Sequence, residues 1–279
     1  MEATHRVRAL PLLLALAILS GCAQKKSMPV SIDFELAVGD QPVTCADVFS
    51  DVGTGQTTLQ IADARMYIQD LRLIDANGHS ETVTFDDDGK YQSPTVAMLD
   101  FEDGTDLCEA DGTPGTHTTL TGSVAEGTYV GLSFTVGVPE DLNHGDPTTA
   151  APPLGNLTLQ WSWNEGYRFM RFDLIPANGT PFDVHIGSTE CNKDSSGAVT
   201  CNQENRTKVR LSKFDADNDR VNIDLGTLVS GSDLEADMPG CIAGGTPDIC
   251  APIFKRLGID SATGDANATA QKVFRAESK

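Results

Sequence analysis

The residues best suited to chemistry lie in one segment, Val138–Cys191. Both tryptophans of the chain, Trp161 and Trp163, stand there in W-S-W-N-E-G-Y-R-F, with His144 upstream in V-P-E-D-L-N-H-G-D-P and His185 downstream in F-D-V-H-I-G-S-T-E-C. Imidazole nitrogen is a good ligand for zinc, nickel and copper. An indole N–H is a donor only and cannot ligate as it stands. Period-2 geometry puts Trp161 and Trp163 on one face of a strand, roughly 7 Å apart along it. His185 belongs to a strand that should return through the Asn178-Gly179 turn beside Tyr167–Ile175, so it can approach the same part of the sheet. His144 sits in a Gly/Asp/Pro loop, where a side chain can be aimed at a site. From spacing alone the plainer role is the stronger one: indoles as core fillers, histidines as surface or hydrogen-bonded groups.

Other chemistries lack their residues. The chain has no G-x-S-x-G elbow, no H-E-x-x-H and no phosphate-binding G-x-x-x-x-G-K. Asp215-Ala-Asp217-Asn-Asp219 begins like a calcium loop but has Arg220 where the loop needs Gly and Gly226 where it needs Glu. It reads instead as a solvated turn before a strand. The scattered carboxylates have no pairing that sequence can identify, so a glycosidase-type acid/base pair stays open but without support. A net charge of −20, from 20 basic and 40 acidic residues, argues against nucleic acid as a partner.

These residues need a scaffold, and its pattern is that of a β protein. Alternation with period 2 marks strands at Ser31–Val38, Ala64–Asp75, Thr82–Phe85, Val96–Phe101, Thr119–Val124 and Tyr129–Val138. Further strands follow at Leu157–Trp163, Tyr167–Ile175, Phe182–Gly187, Lys208–Ser212 and Arg220–Leu225. Turn residues separate them: Asn77-Gly78, Asp88-Gly89, Glu165-Gly166 and Asn178-Gly179. Helical periodicity is confined to a short, weak stretch near Ser232–Met238. The expectation is an all-β, antiparallel β-sandwich of Ig-like or Greek-key type, stapled by disulfides.

The N-terminus sets the compartment. Arg6 and Arg8 precede an apolar run, Ala9–Leu19, about half the length of a membrane-spanning helix, and Leu19-Ser20-Gly21-Cys22 follows. The sequence is that of a signal peptide ending in a lipobox, with Cys22 the lipid-modified first residue of the mature chain. Ala23 rather than Asp after that cysteine fits sorting to the outer membrane, so the expectation is a periplasmic lipoprotein held to the membrane by its anchor. Six cysteines remain, and an even number in an exported chain implies three disulfides. Proximity favours Cys191–Cys201 and Cys241–Cys250, which leaves Cys45–Cys108. The chain then divides into a signal peptide (1–21), a lipidated tether (22–30), one β domain (31–260) and a loose tail (261–279).

Taken in order, the lipobox, L-N-H-x-D-P, W-S-W-x-x-G-Y-x-F, H-I-G-S-T-x-C and the late M-P-G-C…C resemble the MbnP-like family over roughly residues 31–260. These are exported copper-binding proteins, also described by a four-Cys motif and a W-x-W domain of a "metallo-mystery pair". The resemblance implies a partner, a di-haem MauG-like (MbnH-like) peroxidase that oxidises a tryptophan to kynurenine, whose side chain then helps bind copper with histidine. It makes Trp161 and Trp163 the candidates for oxidation and His144 and His185 the candidate ligands, while His79 and His117 fall outside the shared motifs. Kynurenine's aryl amine and ketone can coordinate, and a site of few ligands suits Cu(I). The chain is then a metal binder and the substrate of its partner, and no enzymatic turnover is expected of it. A surface or carbohydrate-binding lipoprotein is the alternative, with exposed tryptophans as a stacking platform and no histidine nearby.

Overall fold

Alternating apolar residues build two facing sheets in the computed structural model of the chain, which describes residues 26–162 and 165–279. The first sheet runs Phe274–Ser278, Asp219–Asp224, Ser27–Val38, Thr119–Ala125 and Thr84–Phe85. The second centres on the long strand Thr57–Ile74. Its path is Thr207–Leu211, Gly131–Val136, Thr57–Ile74, Met170–Pro176, Phe182–Ile186 and Gly240–Ile242, and Val96–Asp100 also pairs with the long strand. The inner faces meet through aromatic side chains. Phe134 of the second sheet packs edge-on against Phe34 at 5.6 Å and Phe274 at 5.5 Å, both from the first. Such offset edge contacts suit the ring quadrupoles and seal the core between the sheets.

The three expected disulfides are present: Cys45–Cys108, Cys191–Cys201 and Cys241–Cys250. The last ties strand Gly240–Ile242 to helix Pro247–Leu257. That helix buries Cys250, Ile253, Phe254 and Leu257, a 3.6-residue stripe, and ends at Gly258 with φ 73°.

Four features depart from expectation. Most strand pairs are antiparallel, but Ser27–Val38 lies parallel to Asp219–Asp224, and Phe182–Ile186 parallel to Gly240–Ile242. The first strand begins at Ser27, inside the stretch 22–30 expected to be a tether. Residues 261–279 are not a loose tail. They end in strand Phe274–Ser278, paired with Asp219–Asp224, and bury Val273 and Phe274. Finally, Ser232–Met238 forms turns rather than a helix, and the helices lie at Leu225–Val229 and Pro247–Leu257. The signal peptide, Cys22 and Trp163 lie outside the described residues. No helix among those described is long and apolar enough to cross a membrane.

Candidate functional site

His185 lies on strand Phe182–Ile186, whose Phe182, Val184 and Ile186 point into the core while Asp183 and His185 take the opposite face. Pairing aligns charged residues across that opposite face. One row runs Asp100, Arg65, Arg171, His185; the next runs Asp63, Asp173, Asp183. This face is largely covered: Asp63 is fully buried and Arg65 and Arg171 are nearly so, while Asp173 and Asp183 are partly exposed. Buried charges persist only when paired, and here they are. Arg65 bonds Asp63 through two nitrogens, while Arg171 donates to Asp173 at 2.6 Å and Asp111 at 2.7 Å.

His185 is the end member of this grid. Its Nε2 meets Asp173 Oδ1 at 2.6 Å. Burial raises the Asp173 pKa, but hydrogen bonds from His185 and Arg171 outweigh it and bring the carboxyl down to about 2. An ionised carboxylate accepts only, so Nε2 carries the proton and Nδ1 of a neutral ring keeps its lone pair. Burial pushes the Asp183 carboxyl up, opposed by His185.

The same grid holds the tryptophan hairpin. Asn156 caps a single turn, Leu157–Leu159, that leads into strand Gln160–Ser162, so the expected strand Leu157–Trp163 starts later. Arg168 and Arg171 both donate to the Thr158 carbonyl, at 2.6 and 3.3 Å. The Arg168 guanidinium also lies over the Trp161 ring, 5.7 Å from its centroid. Trp161 is half-buried against the core and covers Gly187 so closely that a Cβ there would lie 2.6 Å from its Cζ3. Gly187 is two residues beyond His185, the spacing that puts both on one side of an extended chain. Trp161 therefore is not an open stacking platform. It also lines a cleft of about 410 Å³ with Glu165, Ser188, Glu190, Cys191 and Ile242.

His144 is brought to the same hairpin by its loop. Asn143, fully buried, accepts from the Tyr167 backbone N–H at 3.1 Å. That approach needs Gly166, with φ 80°, because a Cβ there would meet the Asn143 amide at 2.6 Å. Gln160, next to Trp161, donates to the Gly145 carbonyl at 3.1 Å, and Arg206 donates to the Val138 carbonyl at 3.0 Å. With Asn143 Oδ1 engaged, its Nδ2 faces His144 Nε2 at 3.2 Å, which makes that ring nitrogen the acceptor. The same Nε2 lies 3.4 Å from Cys201 Sγ.

The two histidines thus lie on different elements, each two residues or fewer from a contact with the Gln160–Trp161 segment, and belong to different clusters: His144 with Cys191 and Cys201, His185 with Asp173 and Asp183. No group of three or more close ligating side chains among the described residues contains both. An imidazole nitrogen that carries no proton is a donor type that copper accepts. His79 is exposed on a turn beside Asp75, and His117 stacks on Tyr91 at 4.5 Å, where burial lowers its pKa. Asp173, Arg171 and Arg168 escaped the sequence reading. For Asp173 and Arg171 a signal was present in D-A-R, R-F-D and D-V-H, acid and base two apart in apolar strands, but alternation by itself assigns such residues to a wet face; Arg168 lies in none of these.

The MbnP family model matches residues 27–243. Among solved structures, MbnP from Methylosinus trichosporium is similar with a TM-score of 0.80 and 30% identity, covering 91% of this chain and 99% of that one. A search among curated proteins finds no match.

Proposed function

The chain belongs to the MbnP family, and on that footing we propose that it is an exported, lipid-anchored copper-binding protein. Cys22 carries the anchor and holds the sandwich at the periplasmic side of the outer membrane. In this reading a partner di-haem peroxidase oxidises Trp161 or Trp163 to kynurenine, and the new side chain joins His144 and His185 in holding Cu(I). The chain turns nothing over; copper is its cargo and the partner acts on it.

One observation carries the reading. Trp161 covers Gly187 just beyond His185, while its neighbour Gln160 tethers the His144 loop. Converting that indole to an aryl amine and ketone puts donors beside a strand whose histidine already has Nε2 engaged by Asp173. Orientation of a ligand imidazole by a carboxylate is the usual outer-shell device of metal sites.

The test compares protein made with and without the haem partner. Co-produced protein should show, at Trp161 or Trp163, exchange of one carbon for one oxygen by peptide mass spectrometry, and should bind Cu(I) more tightly. His185→Ala should then weaken binding more than His117→Ala, with His144→Ala between them. Tight binding that survives replacement of both tryptophans by Phe would leave a histidine-only site as the better account.

A further inference from the structure

We propose a second, redox-gated copper site in which Cys191 and Cys201, once reduced, bind Cu(I) as two thiolates together with His144. The three side chains already converge, each offering one ligand atom within 4.8 Å of the others. His144 Nε2 stands 3.4 Å from Cys201 Sγ and accepts from Asn143 Nδ2 at 3.2 Å, so a copper ion held by the two sulfurs would take the place of that amide contact.

Access separates this disulfide from the other two. Cys45, Cys108, Cys241 and Cys250 are at most 2% exposed, whereas Cys191 and Cys201 are both half-exposed. Thiol–disulfide exchange requires a thiolate to reach a sulfur, so a soluble dithiol meets this bond first. The neighbouring imidazole favours the thiolate once the bond opens.

Opening the bond need not scatter the ligands. Cys191 and Cys201 face each other across the hairpin Thr189–Lys193/Val199–Gln203, whose ladder pairs Thr189 with Gln203, Asn192 with Thr200 and Lys193 with Val199. Thr189 Oγ1 adds a bond to Gln203 Oε1 at 2.9 Å, and Asp194 caps the turn by accepting from the Ser196 N–H at 2.8 Å. The sulfurs therefore stay opposed, free to separate to the span of one metal ion.

The step balances. A dithiol reductant supplies two electrons and two protons, is itself oxidised to a disulfide, and leaves Cys191 and Cys201 as thiols. Cu(I) binding then releases both thiol protons. Two soft thiolates and one imidazole form a donor set that selects Cu(I). This site uses no atom of Trp161 or Trp163 but shares His144 with the kynurenine reading above, so protein with both tryptophans intact isolates it.

The experiment uses the mature chain made without the haem partner, in which both tryptophans are intact. After mild treatment with dithiothreitol and desalting, alkylation and peptide mapping should label Cys191 and Cys201 while the other four cysteines stay paired. The reduced protein should bind one Cu(I) at least about tenfold more tightly than the oxidised protein in competition with bicinchoninate, with a new near-ultraviolet thiolate-to-copper band. Loss of even an outer-shell partner costs about 10–100-fold in metal affinity, so His144→Ala should lose about tenfold or more in the reduced state while keeping the same labelling pattern. Labelling of another pair first, no gain in affinity on reduction, or an unaffected His144→Ala variant would each overturn the site. A Cys191→Ser/Cys201→Ser variant co-produced with the partner should retain the kynurenine-dependent copper, so failure of either site is read separately.

Discussion

Gly187→Ala should loosen the tryptophan hairpin from the His185 strand. The added methyl would lie 2.6 Å from Trp161 Cζ3 and 2.6 Å from the Tyr167 carbonyl oxygen, well inside the roughly 3.5–4.0 Å of a favourable contact. The carbonyl cannot retreat easily. Tyr167 is fully buried, its N–H held by Asn143 and its hydroxyl by the Leu154 carbonyl at 2.7 Å. Gly187 is itself fixed, since its carbonyl accepts from Asn205 Nδ2 at 2.9 Å. Relief must come from the indole swinging away. Overpacking of this kind costs about 1–3 kcal/mol, offset by about 0.4–1 kcal/mol from restricting the unfolded chain. A net loss of about 1–2 kcal/mol corresponds to a fall in Tm of about 2–8 °C for a chain of this size. Melting followed by far-ultraviolet circular dichroism gives the stability. Emission of Trp161 in a Trp163→Phe background reports its environment and should shift to the red. In co-produced protein, copper affinity should fall with it. An unchanged or raised Tm with unchanged emission would refute the packing of Trp161 on Gly187.

Three other perturbations bear on the grid and the sandwich. Asp173→Asn removes the carboxylate that orients His185 and should weaken Cu(I) binding in co-produced protein by about 10–100-fold, read by chelator competition. The same carboxyl, held at about 2 against an ordinary 3.8, contributes stability that is full above the ordinary value and lost as pH falls toward 2; the variant should show a shallower acid transition in that window. Asp100 behaves oppositely. Burial, with the Glu102 charge beside it, raises its pKa from 3.8 to about 7, so the native state keeps a proton that the unfolded chain has lost, and stability declines as pH rises through that range. Asp100→Asn should flatten this decline in urea titrations between those pH values. Phe274→Ala removes a buried ring packed on Phe134 at 5.5 Å and should cost about 3–5 kcal/mol by denaturant unfolding, whereas a loose tail would leave stability unchanged.

What the sequence determined by itself is what depends on neighbours along the chain. Alternation in I-D-F-E-L, L-T-G-S-V and F-D-V-H-I located strands because side-chain direction repeats every two residues. Short spacing selected Cys191–Cys201 and Cys241–Cys250, and elimination then left Cys45–Cys108. The ordered motifs around His144, Trp161 and His185 pointed to the family. Even some misses were written locally: P-D-I-C-A-P-I-F-K-R-L-G carries Pro near a helix start, a 3.6-residue apolar stripe and a Gly stop.

Tertiary structure alone decided the rest, because lateral register and the covering of a face are non-local. Nothing in D-A-R, R-F-D or D-V-H says that the three lie side by side, or that their shared polar face is largely covered so that its buried charges must find partners. The C-terminal strand gains its place only from the edge offered by Asp219–Asp224, and Phe274 only then finds a core to enter. His144 and the Cys191–Cys201 bridge meet across a long sequence separation because Asn143 docks under Gly166 and the hairpin returns beside it. Chemistry here depends on distance between side chains, and those distances are set by folding.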